Sequence, residues 1–407
     1  MNRYVIVLAL AVLWACRPEA TEVAEPEQPA PLSQRERAEQ LAQELIIVDT
    51  HIDVPDRLSA RMEDISTRTE RGDFDYPRAK AGGLNVAFMS IYVAASHQET
   101  GDSKDAAERL IDLVEKLATD WPDKFAIATS VADVREQFAQ GKISLAMGME
   151  NGAPIETLDD LRHFYQRGVR YITLAHSRAN QLSDSSYDTN RRWSGLSPFG
   201  REVVAEMNRL GMMVDVSHIS DDAFRDVLEV STAPVIASHS SSRHFTPGFE
   251  RNMGDDMIKA LAANGGTIGI NFGSSFLVEA IRQGGEAMSQ YLEENGVRPD
   301  SDDGREYARR YRQKTGLGYA DVGDVVAHID RVVQLAGVDH VGLGSDFDGL
   351  GDSLPTGLKD VSFYPNLIYE LLKAGYSEED IAKICSGNVL GVWTVVERKA
   401  AELQASQ

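Results

Sequence analysis

The chain has 407 residues, 43% of them hydrophobic and 26% charged, with a formal net charge of −22. Such apolar content excludes wholesale disorder and suffices for one large packed domain. The acidic excess excludes nucleic acid as a partner, and docking on anionic lipid through charge, because both rely on clustered Lys and Arg.

Arg3 gives a short basic start, and residues 5–14 form an apolar run. The run is too short to span a bilayer and suits the hydrophobic part of an export signal. Leu13-Trp14-Ala15-Cys16 resembles a bacterial lipoprotein box. That resemblance implies cleavage before Cys16, a lipid on its thiol, and an exported protein anchored to a membrane at the cell envelope. Residues 1–15 are therefore expected to be a signal peptide. Residues 16–36, rich in Pro, Glu and Ala, are expected to be a disordered tether, and residues 37–407 a single domain. Only Cys385 then remains, so no disulfide can form within the mature chain. Its setting reads as a buried, inert thiol.

Eight apolar, β-branched-rich runs follow, at residues 45–49, 85–93, 143–149, 171–175, 212–217, 234–238, 267–272 and 340–345. Most are continuous rather than alternating, which suits parallel strands buried on both faces. Helical periodicity lies between them, at residues 105–117, 198–210, 220–230 and 322–336. The alternation predicts an α/β fold, a single (β/α)8 TIM-type barrel, whose site lies at the C-terminal ends of the strands. A doubly wound open sheet shares the alternation and is the alternative. A charged insert, residues 273–319, is expected to be helical and precedes the last strand. Residues 356–407 read as a helical C-terminal segment on the barrel exterior.

The expected strand ends carry His51 and Asp53 (VDTHID), Glu150 (GMEN), His176 (LAHS), His218 (VSHIS), His239 (ASHSS) and Asp346 (GSDFDG). Imidazole and carboxylate together make a ligand set for zinc or a similar divalent ion, which can activate water at neutral pH. His51 and Asp53, two apart on a strand, can reach one metal. Glu150 has two oxygens and can bridge a pair of ions. His218 and His239 fall on neighbouring strands and can converge. His176 is either a ligand or a group that polarises a carbonyl. Asp346 is placed to move a proton, with Asp348 as competitor. His97, His163, His244, His328 and His340 are assigned no chemistry.

These motifs, with ERNMGDD around Arg251, resemble the membrane (renal-type) dipeptidases, the M19 peptidases, over nearly the whole mature domain. The resemblance implies a binuclear zinc dipeptidase on a (β/α)8 barrel, using a metal-activated hydroxide and accepting a C-terminal D-residue. By matching positions, one Zn2+ takes His51, Asp53 and Glu150, and the second takes Glu150, His218 and His239. His176 and Arg251 match substrate-binding residues, Arg251 gripping the dipeptide carboxylate, and Asp346 the proton shuttle. Relatives commonly form homodimers. Two departures concern substrate preference: Gly273 stands where animal enzymes carry Tyr, and Gly391 where many relatives carry Arg. The competing readings are another metal-dependent amidohydrolase, acting on an N-acyl amino acid, lactone or cyclic amide, and a non-enzymatic lipoprotein that binds metal or peptide.

Overall fold

Among the described residues, nine parallel strands organise the fold: β1 (Ile47–Ile52), β2 (Leu84–Tyr92), β3 (Phe125–Ile127), β4 (Ile143–Glu150), β5 (Val169–Thr173), β6 (Met213–Asp215), β7 (Ile236–Ser240), β8 (Thr267–Ile270) and β9 (Val341–Leu343). The computed structural model describes Met1 and residues 32–297 and 302–406. The apolar leader, Cys16 and most of the expected tether lie outside the described residues. The tether's last residues are ordered: Ser33 caps a helix, Gln34–Glu44, through a reciprocal pair of bonds with Glu36.

Pairing runs β1–β2–β4–β5–β6–β7–β8–β9 and returns to β1 through Asp49 and Leu343. Eight strands thus close a ring, and the open-sheet alternative falls. The sequence reading missed β3, a three-residue strand. It pairs with the start of β4 (Phe125 to Ile143), on the edge that β5 occupies further along, from Met147 to Glu150. Nearly every strand residue is buried, which accounts for the continuous apolar runs.

Helices return the chain between strands, several started by a polar cap: Ser197 before Pro198–Leu210, Ser220 before Asp221–Val230, and Asp321 before Val322–Ala336. The insert before β9 is helical, as Ser274–Leu277, Glu279–Glu294 and Asp302–Thr315. The C-terminal segment is also helical, but its place needs correction. Val389, Trp393 and Val396 of the last helix, Asn388–Ala405, join one apolar cluster with Val48, Val86, Phe88 and Tyr171 from the strands. Trp393 packs on Phe88, and Phe88 on Tyr171, each at 5.4 Å between ring centroids. The helix therefore plugs one end of the barrel rather than lying only outside it. An empty eight-stranded interior would expose this apolar lining, so side chains must fill it. No helix among the described residues is long and apolar enough to cross a membrane.

Candidate active site

At the opposite end of the barrel, the strand ends bring all the expected ligands together. His51 is the penultimate residue of β1, and Asp53 leads into the helix Val54–Ala60. Glu150 ends β4 and His239 lies within β7. His218 follows β6, Asp346 follows β9, and His176 sits three residues beyond β5 rather than at its end. His218, Asp346 and Asp348 have positive φ, 67°, 63° and 68°. Left-handed backbone at non-glycine residues is strained, and here it clusters where the chain turns side chains onto the rim.

Glu150 is the hub. Its Oε1 lies 3.0 Å from His218 Nε2, 3.2 Å from His239 Nε2 and 3.5 Å from His176 Nε2, and its Oε2 lies 3.5 Å from His51 Nε2. Asp53 Oδ2 is 3.6 Å from His51 Nε2. Three sets of ligand atoms lie close enough to hold an ion: His51, Glu150 and His239; Glu150, His176 and His218; and His51, Asp53 and Asp346.

Hydrogen bonds outside this nest decide which nitrogens face inward. Tyr171 gives its proton to Thr50 O (3.0 Å), so it accepts from His51 Nδ1 (2.8 Å). Ser238 gives its proton to the Asp215 carboxylate (2.7 Å), so it accepts from His239 Nδ1 (2.7 Å). Arg251 can only donate, and its Nη2 lies 2.9 Å from His218 Nε2. All three Nε2 atoms therefore present lone pairs to the nest. The His218 and His239 Nε2 atoms are 2.8 Å apart, and His51 Nε2 is buried without a hydrogen-bond partner. Lone pairs crowded against a carboxylate repel one another unless a cation lies between them. The donor set, two carboxylates and three neutral imidazoles, suits zinc.

The electrostatics agree for two of the three imidazoles; at His51 burial acts downward, but Tyr171, Glu150 and Asp53 outweigh it and raise the ring well above its ordinary value, so a bound cation must displace its proton. Burial, with Arg251 next in weight, holds His218 well below its ordinary value, and burial with the neighbouring His51 does the same for His239. Both are thus neutral, as metal ligands must be. Burial also lowers His176. For Glu150 burial acts upward, but the surrounding imidazoles outweigh it and hold the carboxyl well below the usual range. Asp346 goes the other way: burial, then the Asp53 carboxylate, raise it well above an ordinary Asp. Asn271 Nδ2 holds its Oδ2 at 2.8 Å. A carboxyl kept able to carry a proton fits the shuttle role. Asp348 is otherwise engaged, accepting from Arg57 Nε (2.9 Å) and Asp73 N (2.6 Å).

A cleft of about 480 Å³ opens over the nest, walled by Tyr92, His176, Tyr187, Phe276, Asp346 and Leu350, among others. A larger hollow, about 560 Å³, lined by Glu156, Arg192, Trp193 and Phe199 among others, contains no imidazole. Arg251 is 3% exposed. It donates to Ser240 Oγ and His239 O, both at 2.7 Å, yet it has no carboxylate partner among the described residues, and its Nε is buried and unpaired. Sequence reasoning did not single out Tyr171, Ser238, Asp215, Asn271, Tyr92 or Tyr187. No local pattern marks them, since each acts through what the fold sets beside it.

A profile of the membrane dipeptidase family, peptidase family M19, matches residues 35–407. The dipeptidase AclJ of Aspergillus oryzae is 37% identical over 340 residues, 82% of this chain and 72% of that protein. The probable dipeptidase PvdM from Pseudomonas aeruginosa superposes with a TM-score of 0.79 at 27% identity, covering 90% of this chain and 99% of that one. A metallopeptidase from Rhodobacter sphaeroides, liganded with a phosphinate mimic of the dipeptide L-Ala-D-Ala, gives 0.70 at 28% identity over 86% of this chain and 99% of that one.

Proposed function

Since the chain belongs to the membrane dipeptidase family M19 and is a metallo-dipeptidase, we propose that it is a binuclear zinc enzyme whose substrates include dipeptides ending in a D-residue. His51, Asp53 and Glu150 would hold one zinc ion, and Glu150, His218 and His239 the other. Bound there, the ions supply a Lewis acid and lower the pKa of water toward neutrality. The chain's own groups do the rest. Arg251 receives the substrate's terminal carboxylate, and so fixes the scissile bond over the nest. His176, on the cleft wall, donates to the carbonyl oxygen as negative charge develops on it. Asp346, oriented by Asn271, carries a proton to the departing amine.

The observation that carries this reading is Arg251. A buried cation is costly without a counter-charge, and this one has no carboxylate of its own among the described residues. An anionic substrate end supplies it. The phosphinate dipeptide mimic bound to the Rhodobacter neighbour supports the choice of a D-residue there.

The test is turnover of a panel of L,L and L,D dipeptides with zinc present, before and after chelation, in wild type and Arg251→Ala. Wild type should release amino acids, L-Ala-D-Ala among the substrates, and chelation should abolish release. Arg251→Ala should lose at least about a hundredfold in kcat/KM, about 2.7 kcal/mol. A variant as active as wild type on dipeptides would remove the carboxylate clamp.

A further inference from the structure

The turn that carries Asp346 is tied to the helix that follows Asp53 by a side-chain contact the mechanism above does not use. Backbone pairing between the first and last strands continues onto the rim. There Asp346 N donates to His51 O (3.0 Å) and Asp53 N to Phe347 O (2.8 Å). Beyond them Asp348 turns into left-handed backbone, at φ 68°, and the next tie is made by side chains, Arg57 Nε donating to Asp348 Oδ2 at 2.9 Å. Arg57 lies one helical turn beyond Asp53, and its backbone N–H donates to Asp53 O (3.2 Å).

Both ends of this contact are fixed. Arg57 Nη1 donates to Glu63 Oε2 (3.2 Å) and Arg71 O (3.0 Å), and Nη2 to Phe74 O (2.8 Å), so all three guanidinium nitrogens are engaged. Asp348 N donates to Asp73 Oδ2 (2.9 Å), and Asp348 Oδ1 accepts from Asp73 N (2.6 Å). The Asp348 side chain is fully buried and that of Arg57 is 13% exposed. A planar fork held at every nitrogen makes a rigid strut. The strut spans the gap between two carboxylates. With His51, Asp53 and Asp346 carry ligand atoms within 4.8 Å of one another, and like charges so close push apart. Gly349 leaves them room, since a Cβ there would collide with both carboxylates.

We propose that Arg57, through Asp348, is a positioning residue that sets where the Asp346 carboxyl stands relative to Asp53, and so its reach to the departing amine. The inference rests on the proton-carrying role given to Asp346 above. Arg57 is not among the residues that wall the cleft, so it acts by way of that carboxyl rather than on the substrate.

Arg57→Met keeps the apolar stem and removes the fork. On L-Ala-D-Ala with zinc saturating, kcat should fall about tenfold while KM stays within about twofold. Asp348→Asn attacks the same contact from its other end, in a residue type that tolerates the left-handed backbone there. It should cost a similar factor, and it carries the test if Arg57→Met does not fold. A merely structural role would lower activity in any background, so the deciding measurement is a double-mutant cycle with Asp346→Asn. In that background either change should cost less than about twofold in kcat. A tenfold loss in both backgrounds, or no loss in either single variant, would overturn the assignment. Wild-type kcat in Asp346→Asn itself, or a wild-type enzyme inactive on the whole dipeptide panel, would instead overturn the reading beneath it, and this inference with it.

Discussion

Removing one oxygen atom, by Tyr171→Phe, separates holding a metal from merely having ligands. The phenol sits below His51, accepts a hydrogen bond from Nδ1–H and leaves Nε2 as the ring's lone-pair nitrogen. Without it, the His51 ring loses the bond that fixes its tautomer and tilt. Metal affinity should fall roughly 10–100-fold, read by competition with a chromophoric chelator, while the folded structure persists because the ring still packs on Phe88. Equal affinities in the two proteins would show that the ring's packing alone orients His51. Gly148, two residues before Glu150, belongs to the same arrangement: a Cβ there would lie 1.9 Å from the Tyr171 ring. Of these residue-scale features, the candidate ligands His51, Asp53, Glu150, His218 and His239 were legible in sequence because they lie at or just beyond the ends of apolar runs, as polar groups that a buried strand would otherwise exclude. Tyr171 and Ser238 were not legible, because a phenol or a hydroxyl inside a strand carries no sign of the ring it will support.

Among the elements, the helix Val322–Ala336 shows a histidine with a purely structural task. His328 is 1% exposed, accepts from Ser242 N through Nδ1 (3.0 Å) and lies 3.0 Å from Leu277 O through Nε2. It thus ties the helix to the loop after β7 and to the start of the insert. Burial pushes its pKa down to about 4. In the unfolded chain an ordinary histidine takes up a proton near pH 6.5. Stability from the neutral ring is therefore complete above about pH 6.5 and is lost as pH falls from there to about 4, by about 3 kcal/mol. Denaturant unfolding of wild type and His328→Gln at a series of pH values between 4 and 7 should show a shallower slope in the variant. Identical slopes would remove the assignment. Element boundaries divide by pattern strength. The helices Pro198–Leu210 and Val322–Ala336 follow a strong 3.6-residue period that survives into the structure. By contrast β3 has three residues, too few to show any period. The helix Gln34–Glu44 buries little more than Ala38, Leu41 and Ala42, so it reads like the polar stretch before it.

For the whole molecule, the closed ring and the metal nest are coupled. Five candidate ligand side chains from four strands and their ends meet at one rim, and without a cation their lone pairs and carboxylates repel. Ions that bind the folded chain alone stabilise it by mass action, about 4 kcal/mol when free metal exceeds its dissociation constant about a thousandfold. Chelation should lower the thermal midpoint by roughly 5 °C, measured by scanning calorimetry with and without added zinc. An unmoved midpoint would mean that the nest is held by packing alone. The (β/α)8 architecture was legible because alternation of strand and helix is a property of the whole sequence. The plug made by Trp393 was not, since a helix that fills a barrel and one that covers it share the same apolar period.

The ring closes where the first strand meets the last, through Asp49 with Leu343 and Ile52 with Phe347, and the site draws on residues from His51 to Asp346. A chain caught part-way through synthesis therefore carries scattered imidazoles and no trap for a cation. The rim that gathers these groups thus exists only in the closed ring, and not in any single stretch of the chain.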